Sequence, residues 1–335
     1  MWCRQAWLPR VAAVALLSVS CTSLVPSLSP HRVARVPVIQ WRAFNLGGLF
    51  GEDEDKIEVP KNVAGMVAGL KSSTENSLNQ GCSRLDIELP PSFQLGVEDK
   101  SKKSSMVADS QSKEVVLKEV ARGDRELARL FVEMLAAIGP GLVVAFRTSQ
   151  MEKAAKRRWK LSANEAQVIS FFDSKKSAFA SEVEAPEQFN QKLQKLDCKC
   201  LLVVAPQLDQ LRFVAKLSKA MKDQMGIILL NSRIFGESRK VKLPPRLKDF
   251  IKKEFRPAYH VRFLENEKWP KNSMIYRQVS KGGEAPWIIA VQRQLVGGAV
   301  VTKEVLRTDE EPEDEEIDAA FKRYAESSDV SDKVA

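Results

Sequence analysis

The sequence is poor in the residues on which most catalytic sites depend. Its 335 residues include two histidines and five cysteines, and His260 is the sole histidine beyond the amino-terminal leader defined below. Neither a Gly-x-Gly-x-x-Gly nor a Gly-x4-Gly-Lys-Ser/Thr phosphate loop occurs, and no Gly-x-Ser-x-Gly elbow accompanies the histidine. A Ser-His-Asp triad around His260 therefore lacks its usual framework, and we interpret His260 as a structural residue of a strand.

Cysteine is sparse in the same way. Beyond residue 51 only Cys82, Cys198 and Cys200 remain, an odd number that argues against a disulfide-stabilised secreted protein. Cys198 and Cys200 are expected on one face of a strand and, with Cys82 and His260, they would number four zinc ligands. Their spacing resembles no zinc motif, so we expect buried cysteines that act as small apolar side chains, with no metal and no cofactor.

Acidic residues are absent from the first 51 positions, which form the leader. Five arginines lie there: Arg4, Arg10, Arg32, Arg35 and Arg42. Without them the formal charge of +9 falls to +4, so nucleic acid is not the expected partner. The apolar run VAAVALLSV at 11–19, followed by an acid-free stretch with Ser and Arg, predicts a signal peptide and then a plastid transit peptide. We expect the stroma of a secondary algal plastid, and an ordinary secreted protein stays as the alternative.

Hydrophobic patterning after the leader predicts an α/β protein. A helix runs from Pro60 to a stop at Gly81, and a second helix has Asp124 as its expected N-cap. Strands are predicted at 84–89, 142–146, 166–172, 200–206 and 226–230. Continuous apolar strands that alternate with helices require a sheet covered on both faces, so we predict a doubly wound, mostly parallel, Rossmann-like sheet. Three shorter strands after Pro257 predict a C-terminal antiparallel extension of the same sheet, with a small appended sheet as the alternative.

The domain organisation follows from composition. We assign 1–51 to the bipartite leader, 57–305 to a single α/β domain and 306–335 to an acidic tail. A polar stretch near 97–113 without core residues predicts a mobile insertion. The tail carries seven acids in the eight residues 309–316, which is typical of a solvated segment, and a short helix is expected from Ile317 to Tyr324. Beyond the leader, no apolar run reaches the length of a membrane span.

Polar residues follow the predicted parallel strands. Doubly wound sheets bind ligands at the carboxyl ends of their strands, where helix N-termini point inward. The candidates for ligand or partner binding are Arg147, Thr148, Gln207, Asn231 and Arg233. Each residue is equally suited to shaping a turn or capping a helix. We expect Asn231 mainly to shape its turn, and Arg233 to be the better candidate for contact with a ligand or partner.

Two stretches are strongly basic. Residues 152–160 hold five basic residues around one tryptophan, and residues 239–256 hold eight basic residues and two acids. Such a surface suits anionic lipid headgroups, an acidic protein or phosphates. The simpler interpretation is a solvated lysine-rich face that the acidic tail partly screens. Nucleic-acid binding through these stretches ranks last, and it predicts an affinity that falls steeply with salt.

The order of several segments resembles one family. The segments are the helix from Pro60 to Gly81, then RLDIE (84–88), ELARLFVEML (126–135), LLVVAP (201–206), ILLNSRI (228–234), AYHVRFL (258–264) and PWIIAV (286–291). They resemble the plastid and cyanobacterial domain of unknown function found in the low-photosystem-II-accumulation assembly factors. The resemblance covers about residues 57–300. Ser232 stands where we would expect proline, and the insertion near 97–113 enlarges the usual layout.

The resemblance implies a role without known catalysis. It indicates a plastid protein that assists photosystem and thylakoid complex biogenesis through contacts with thylakoid membrane proteins or an anionic membrane surface. The alternative is an enzyme or sensor that binds a nucleotide or a small phosphorylated metabolite at the strand ends. Arg147 and Arg233 motivate that alternative, because a guanidinium suits a phosphate.

Overall fold

Strands and helices alternate along most of the chain in the computed structural model. The structure describes residues 57–90, 113–172, 186–221, 224–234, 243–264, 266–294 and 300–331. The strands are β1 (Arg84–Glu88), β2 (Leu142–Thr148), β3 (Gln167–Phe172), β4 (Cys200–Val204), β5 (Gly226–Leu230), β6 (Arg256–Phe263), β7 (Ser273–Gln278), β8 (Trp287–Gln294) and β9 (Val300–Thr308). The helices are α1 (Val63–Asn79), α2 (Lys113–Met134), α3 (Ser149–Trp159), α4 (Pro186–Lys195), α5 (Leu208–Ala220), α6 (Pro245–Glu254) and α7 (Asp314–Ser331).

The nine strands form one sheet in the spatial order β3-β2-β4-β5-β1-β6-β7-β8-β9. The six strands from β3 to β6 are parallel to their neighbours, and β6 to β9 continue the sheet as antiparallel neighbours. The predicted fold class, a mostly parallel α/β sheet with an antiparallel C-terminal extension, is confirmed. β1 lies in the middle of the sheet although it is the first strand of the chain.

Helices cover both faces of the sheet, as the continuous apolar strands require. Along β4, Leu202 and Val204 pack into one core with helices α1, α2 and α3, and this side is called the first face below. Leu201 and Val203 point the other way, into a core with α4, α5, α6 and α7, called the second face. Alternation along each strand therefore divides the buried apolar side chains between two separate layers.

The expected start of helix α2 changes. Helix α2 begins at Lys113, so Asp124 lies inside the helix and is not its N-cap. The run of good helix formers before Gly123 extends the helix, and Asp124 is instead buried with a partner from another element, as shown below.

The carboxyl-terminal residues pack against the sheet. β9 continues through Thr308, and Ile317, Phe321 and Tyr324 of α7 are buried in the core of the second face. Their spacing places an apolar stripe on the sheet and leaves the acids outward, so this part of the expected acidic tail is an element of the fold. The expected leader and nearly all of the expected insertion at 97–113 lie outside the described residues. Within the described part of the chain, no helix is both long and apolar enough to cross a membrane.

Candidate functional site

Predicted site residues flank two positions at the carboxyl edge of the parallel strands where the topology forms a crevice. A crevice forms where the helices that follow two adjacent strands leave toward opposite faces. This happens between β2 and β4, which are followed by α3 on the first face and α5 on the second, and we call it the outer crevice. It happens again between β5 and β1, followed by α6 on the second face and α2 on the first, and we call it the central crevice.

The outer crevice holds Arg147, Thr148 and Gln207. Thr148 and Gln207 are the N-cap residues of α3 and α5. The Thr148 hydroxyl accepts a hydrogen bond from the backbone N–H of Met151 at 3.4 Å and caps α3. Gln207 precedes α5, and its backbone N–H donates to the Gln210 side chain at 2.9 Å. These bonds satisfy backbone groups that a helix start leaves without partners. Thr148 and Gln207 therefore act as helix caps.

The central crevice is organised by Asn231. Its side-chain amide donates to the carboxylate of Asp124 in α2 at 2.6 Å, and its side-chain oxygen accepts from the Leu89 backbone N–H at 2.8 Å. Its own backbone N–H donates to the Ile87 carbonyl at 2.7 Å. One buried side chain thus joins the ends of β5 and β1 to a helix of the first face. Asn231 adopts a left-handed backbone with φ of 54°, which asparagine tolerates better than most residues.

Arg233 lies at the open side of the central crevice. Its guanidinium nitrogen Nη2 lies 3.5 Å from Oδ2 of Asp124, and about a third of its side chain is exposed. Arg233 also has a left-handed φ, 52°, and Ala205 after β4 has a φ of 44°. Left-handed conformations at residues other than glycine store strain, and they concentrate at turns and binding sites.

A buried polar cluster lies on the other side of the central crevice. The Ser232 hydroxyl donates to Oδ1 of Asp86 at 2.5 Å. His260 of β6 places Nε2 3.1 Å from Oδ2 of Asp86, and its Nδ1 lies 3.9 Å from Oε2 of Glu88. All four residues are almost fully buried. We call Asp86, Glu88, Ser232 and His260 the central polar cluster.

Burial dominates the electrostatics of both sides of this crevice. Loss of solvation raises the pKa of Glu88, and Coulombic interactions with His260 and Arg262 only partly oppose this rise. Loss of solvation likewise raises the pKa of Asp124, against the opposing effects of Arg233 and the Asn231 amide. Both carboxyl groups consequently resist ionisation, as groups in a low-dielectric interior do.

The cluster does not have the geometry of a nucleophilic triad. A triad needs the imidazole between the serine and the carboxylate, so that the ring can take the hydroxyl proton. Here the Asp86 carboxylate lies between Ser232 and His260, and the hydroxyl donates its proton to that carboxylate. The contacts of Ser232 hold the hydroxyl as a donor and do not activate it. The expectation that His260 is a structural strand residue agrees with its burial in β6.

Sequence reasoning missed the acidic members of these two groups. Asp86 and Glu88 alternate with Leu85 and Ile87 in a strand that both faces cover. The signal was present, because a central parallel strand should be apolar throughout, and charges within it predict buried partners. Asp124 carried no such signal, since an acid near helical residues is common and only the fold brings it to Asn231.

The five predicted site residues do not converge on one point. Arg147, Thr148 and Gln207 flank the outer crevice, whereas Asn231 and Arg233 flank the central one. Alternation along β2 directs Arg147 toward the second face, while Arg233 contacts a helix of the first face. The β2 and β5 backbones are also two strand spacings apart, about 10 Å. Arg147 and Arg233 therefore belong to different crevices and are directed toward opposite faces of the sheet.

The cysteines are separated as well. Cys198 packs into the core of the second face and Cys200 into that of the first, so the expectation that they share a face is wrong. The reason is that Cys198 precedes the strand, next to the left-handed Asp197. Burial raises the pKa of the Cys200 thiol to about 12. Within the described ranges, no three His, Cys, Asp or Glu side chains are arranged to hold a metal ion.

The two basic stretches are also kept apart. Residues 152–160 lie in and just after α3 on the first face, and the described part of 239–256 includes α6 on the second. They do not form one continuous patch.

Residues 60–319 match the family described as a domain of unknown function (DUF1995). No curated protein and no solved structure matches the chain. The match covers most of the chain and includes both crevices. The chain is thus a member of the DUF1995 family.

Proposed function

We propose that the protein is a non-enzymatic plastid protein that assists photosystem and thylakoid complex biogenesis through contacts with proteins or a membrane surface. The observation that carries the non-enzymatic part is the internal use of the strand-end groups. Thr148 and Gln207 cap helices, Asn231 joins two strands to Asp124, and Ser232 donates to Asp86. Groups committed in this way stabilise the fold and offer little to a substrate.

The plastid and assembly parts of the proposal rest on sequence. The acid-free leader with five arginines supports a plastid address. The resemblance to the low-photosystem-II-accumulation assembly factors supports the assembly role, and membership in the DUF1995 family is compatible with it.

Affinity isolation from intact plastids tests this proposal. A tagged copy should be recovered with thylakoid membranes or with photosystem assembly intermediates, and its depletion should lower the amount of assembled photosystem. A tagged copy that stays monomeric and unattached in the plastid lysate, with normal photosystem accumulation after depletion, would contradict the proposal.

A second function is supported by the strain in the central crevice. Asn231 and Arg233 both have left-handed φ values at the point where doubly wound sheets bind ligands, and the Arg233 side chain is about a third exposed. We propose as the alternative a binding site for a nucleotide or a small phosphorylated metabolite there, with Arg233 as the phosphate contact.

Thermal-shift screening with nucleotides and sugar phosphates tests the alternative. A ligand of the central crevice should raise the melting temperature of the native protein and of Arg147→Ala, but not that of Arg233→Ala. Arg147→Ala is the matched control because it removes the same guanidinium from the outer crevice. A screen without any shift would contradict the alternative and leave the assembly role unaffected.

A further inference from the structure

The outward surface of α3 carries charge of one sign. From Lys153 to Lys160, every exposed residue is basic: Lys153, Lys156, Arg157, Arg158 and Lys160. Ala155 and Trp159 form the buried stripe of the same helix. Two of the exposed cations are paired, Lys156 with Glu152 at 2.6 Å and Arg158 with Glu126 at 3.0 Å. Lys153 and Arg157 are four residues apart, so they project from one side of the helix, and Lys160 follows its last residue.

The neighbouring helices of the first face extend this basic surface. Lys71 of α1 and Arg122 and Arg129 of α2 are exposed. Among the described side chains of α1, α2 and α3, Glu133 is the one exposed acid, against seven exposed basic residues. The seven are Lys71, Arg122, Arg129, Lys153, Lys156, Arg157 and Arg158. We call these seven residues together with Lys160 the basic face.

The second face has a different composition. Its helices expose eight acids, Glu187, Asp209, Asp249, Asp314, Glu315, Glu316, Asp318 and Glu326, among ten basic residues. Glu311, just before α7, also pairs with Lys252 of α6 at 2.8 Å and lies 3.5 Å from Arg262. Exposed acids therefore lie among the cations of this face, whereas the cations of α3 have Glu152 and Glu126 as partners and no exposed acid among them.

Helix stability alone does not account for the basic face. Cations in the last turn of a helix interact favourably with its dipole, which explains Lys156, Arg157 and Arg158. Lys153 lies before that turn, Lys71 and Arg122 belong to other helices, and Arg129 is paired with Glu133 of α2 at 3.1 Å. Their common orientation away from the sheet needs another explanation.

We infer that the basic face is the surface by which the protein adsorbs to an anionic lipid bilayer. The inference deepens the function proposed above and rests on it. The charges are spread over three helices, which suits a broad layer of headgroups. No large hydrophobic side chain is exposed on the described parts of these helices, whereas the centres of protein interfaces are rich in such anchors. The apolar stripe of α3 faces the core, so the contact is electrostatic and peripheral.

Vesicle co-sedimentation tests the inference with the full mature chain. The vesicles contain phosphatidylcholine with about a third phosphatidylglycerol, and vesicles of phosphatidylcholine alone serve as the uncharged reference. The native protein should bind the anionic vesicles at low salt, and it should leave them at roughly 0.5 M salt, where charges are screened beyond a few ångströms.

Two variants with the same change in net charge locate the surface. The triple variant Lys153→Gln, Arg157→Gln, Lys160→Gln should lose affinity by roughly fivefold for each cation removed, since each contributes about 1 kcal/mol near an anionic surface. The control triple variant Lys195→Gln, Arg212→Gln, Lys216→Gln alters exposed residues of the second face and should bind like the native protein. Unchanged melting temperatures confirm that both variants are folded.

Each outcome decides the inference. Equal weakening in both variants would mean that net charge, not the basic face, drives adsorption, and it would overturn the inference. Absence of binding at low salt would overturn it as well. If the α3 variant also fails to recover assembly intermediates after detergent treatment, the basic face instead binds an acidic protein. A protein that does not bind the vesicles but is still recovered with assembly intermediates would refute the lipid contact and leave the proposed function unaffected.

Discussion

The outer and central crevices occupy equivalent positions in the sheet, yet their polar residues have different hydrogen-bond partners. In the outer crevice, Thr148 and Gln207 satisfy the backbone of the helices that follow them. In the central crevice, Asn231 and Ser232 satisfy buried carboxylates from other elements. The same kinds of polar residue after a strand therefore have local partners in one place and distant partners in the other.

The difference follows from what each neighbouring strand carries. β2 and β4 are apolar through their buried length, so the crevice between them has no charge to compensate. β1 brings Asp86 and Glu88 into the middle of the sheet. Buried carboxylates are costly unless they are hydrogen-bonded or paired, and the turn after β5 supplies the Ser232 hydroxyl as a donor for Asp86. We expect substitutions in the central crevice to be far more damaging, and four predictions test that contrast.

The largest effect is expected for Asn231→Ala. The substitution leaves the Asp124 carboxylate and the Leu89 N–H without their partner and places alanine at a left-handed φ. Together these changes should lower the free energy of unfolding by about 3–5 kcal/mol. Chemical denaturation measures the loss. Asn231→Gly can keep the left-handed backbone without strain, so its free energy of unfolding should be about 1 kcal/mol higher than that of Asn231→Ala. Equal losses in the two variants would show that the backbone conformation contributes nothing.

A smaller loss is expected for Ser232→Ala. Removing the hydroxyl deprives Asp86 of its 2.5 Å donor inside the sheet and should lower the free energy of unfolding by about 1–3 kcal/mol. Ser232→Thr, which keeps the hydroxyl, is the matched control for the donor. A loss below about 0.5 kcal/mol in the alanine variant would mean that Asp86 is satisfied without Ser232.

Glu88→Gln should alter the pH dependence of stability. Because burial raises the pKa of Glu88 in the folded state, its carboxyl favours folding most below its unfolded pKa, and that contribution is lost as pH rises through the folded pKa. Glutamine has no such titration. The stability of the variant relative to the native protein should therefore increase from acidic to neutral pH. A difference that does not change with pH would contradict the raised pKa.

The smallest effects are expected in the outer crevice. Thr148→Ala removes a long cap bond of 3.4 Å, and Gln207→Ala leaves the capping contact to Gln210 in place through the backbone. Each should lower the free energy of unfolding by about 1 kcal/mol or less. A loss from either variant that matches Asn231→Ala would remove the contrast between the crevices.

The fold was largely predictable, whereas the central cluster was not. Apolar runs such as 142–146, 200–206 and 226–230 predict covered parallel strands, because only a sheet buried on both faces tolerates them. Pairing of Asn231 with Asp124, or of Ser232 with Asp86, depends on which strands become neighbours. Local patterning carries no information on that order, so the turn residues looked free for a ligand. Only the charged residues within 84–88 indicated that a buried strand would need partners from distant parts of the chain.

The place of β1 in the sheet also sets an order of events during folding. Arg84 pairs with Ile227, and Leu85 pairs with Arg256, contacts between residues on the order of 150 positions apart. Such contacts form slowly, because a long loop must close before they contribute. A growing chain therefore holds β1 without either neighbour until its last third has been synthesised. The first strand to be made gains its second neighbour only when the sixth is made, and a chaperone that protects nascent chains would meet it with its acidic residues still in water.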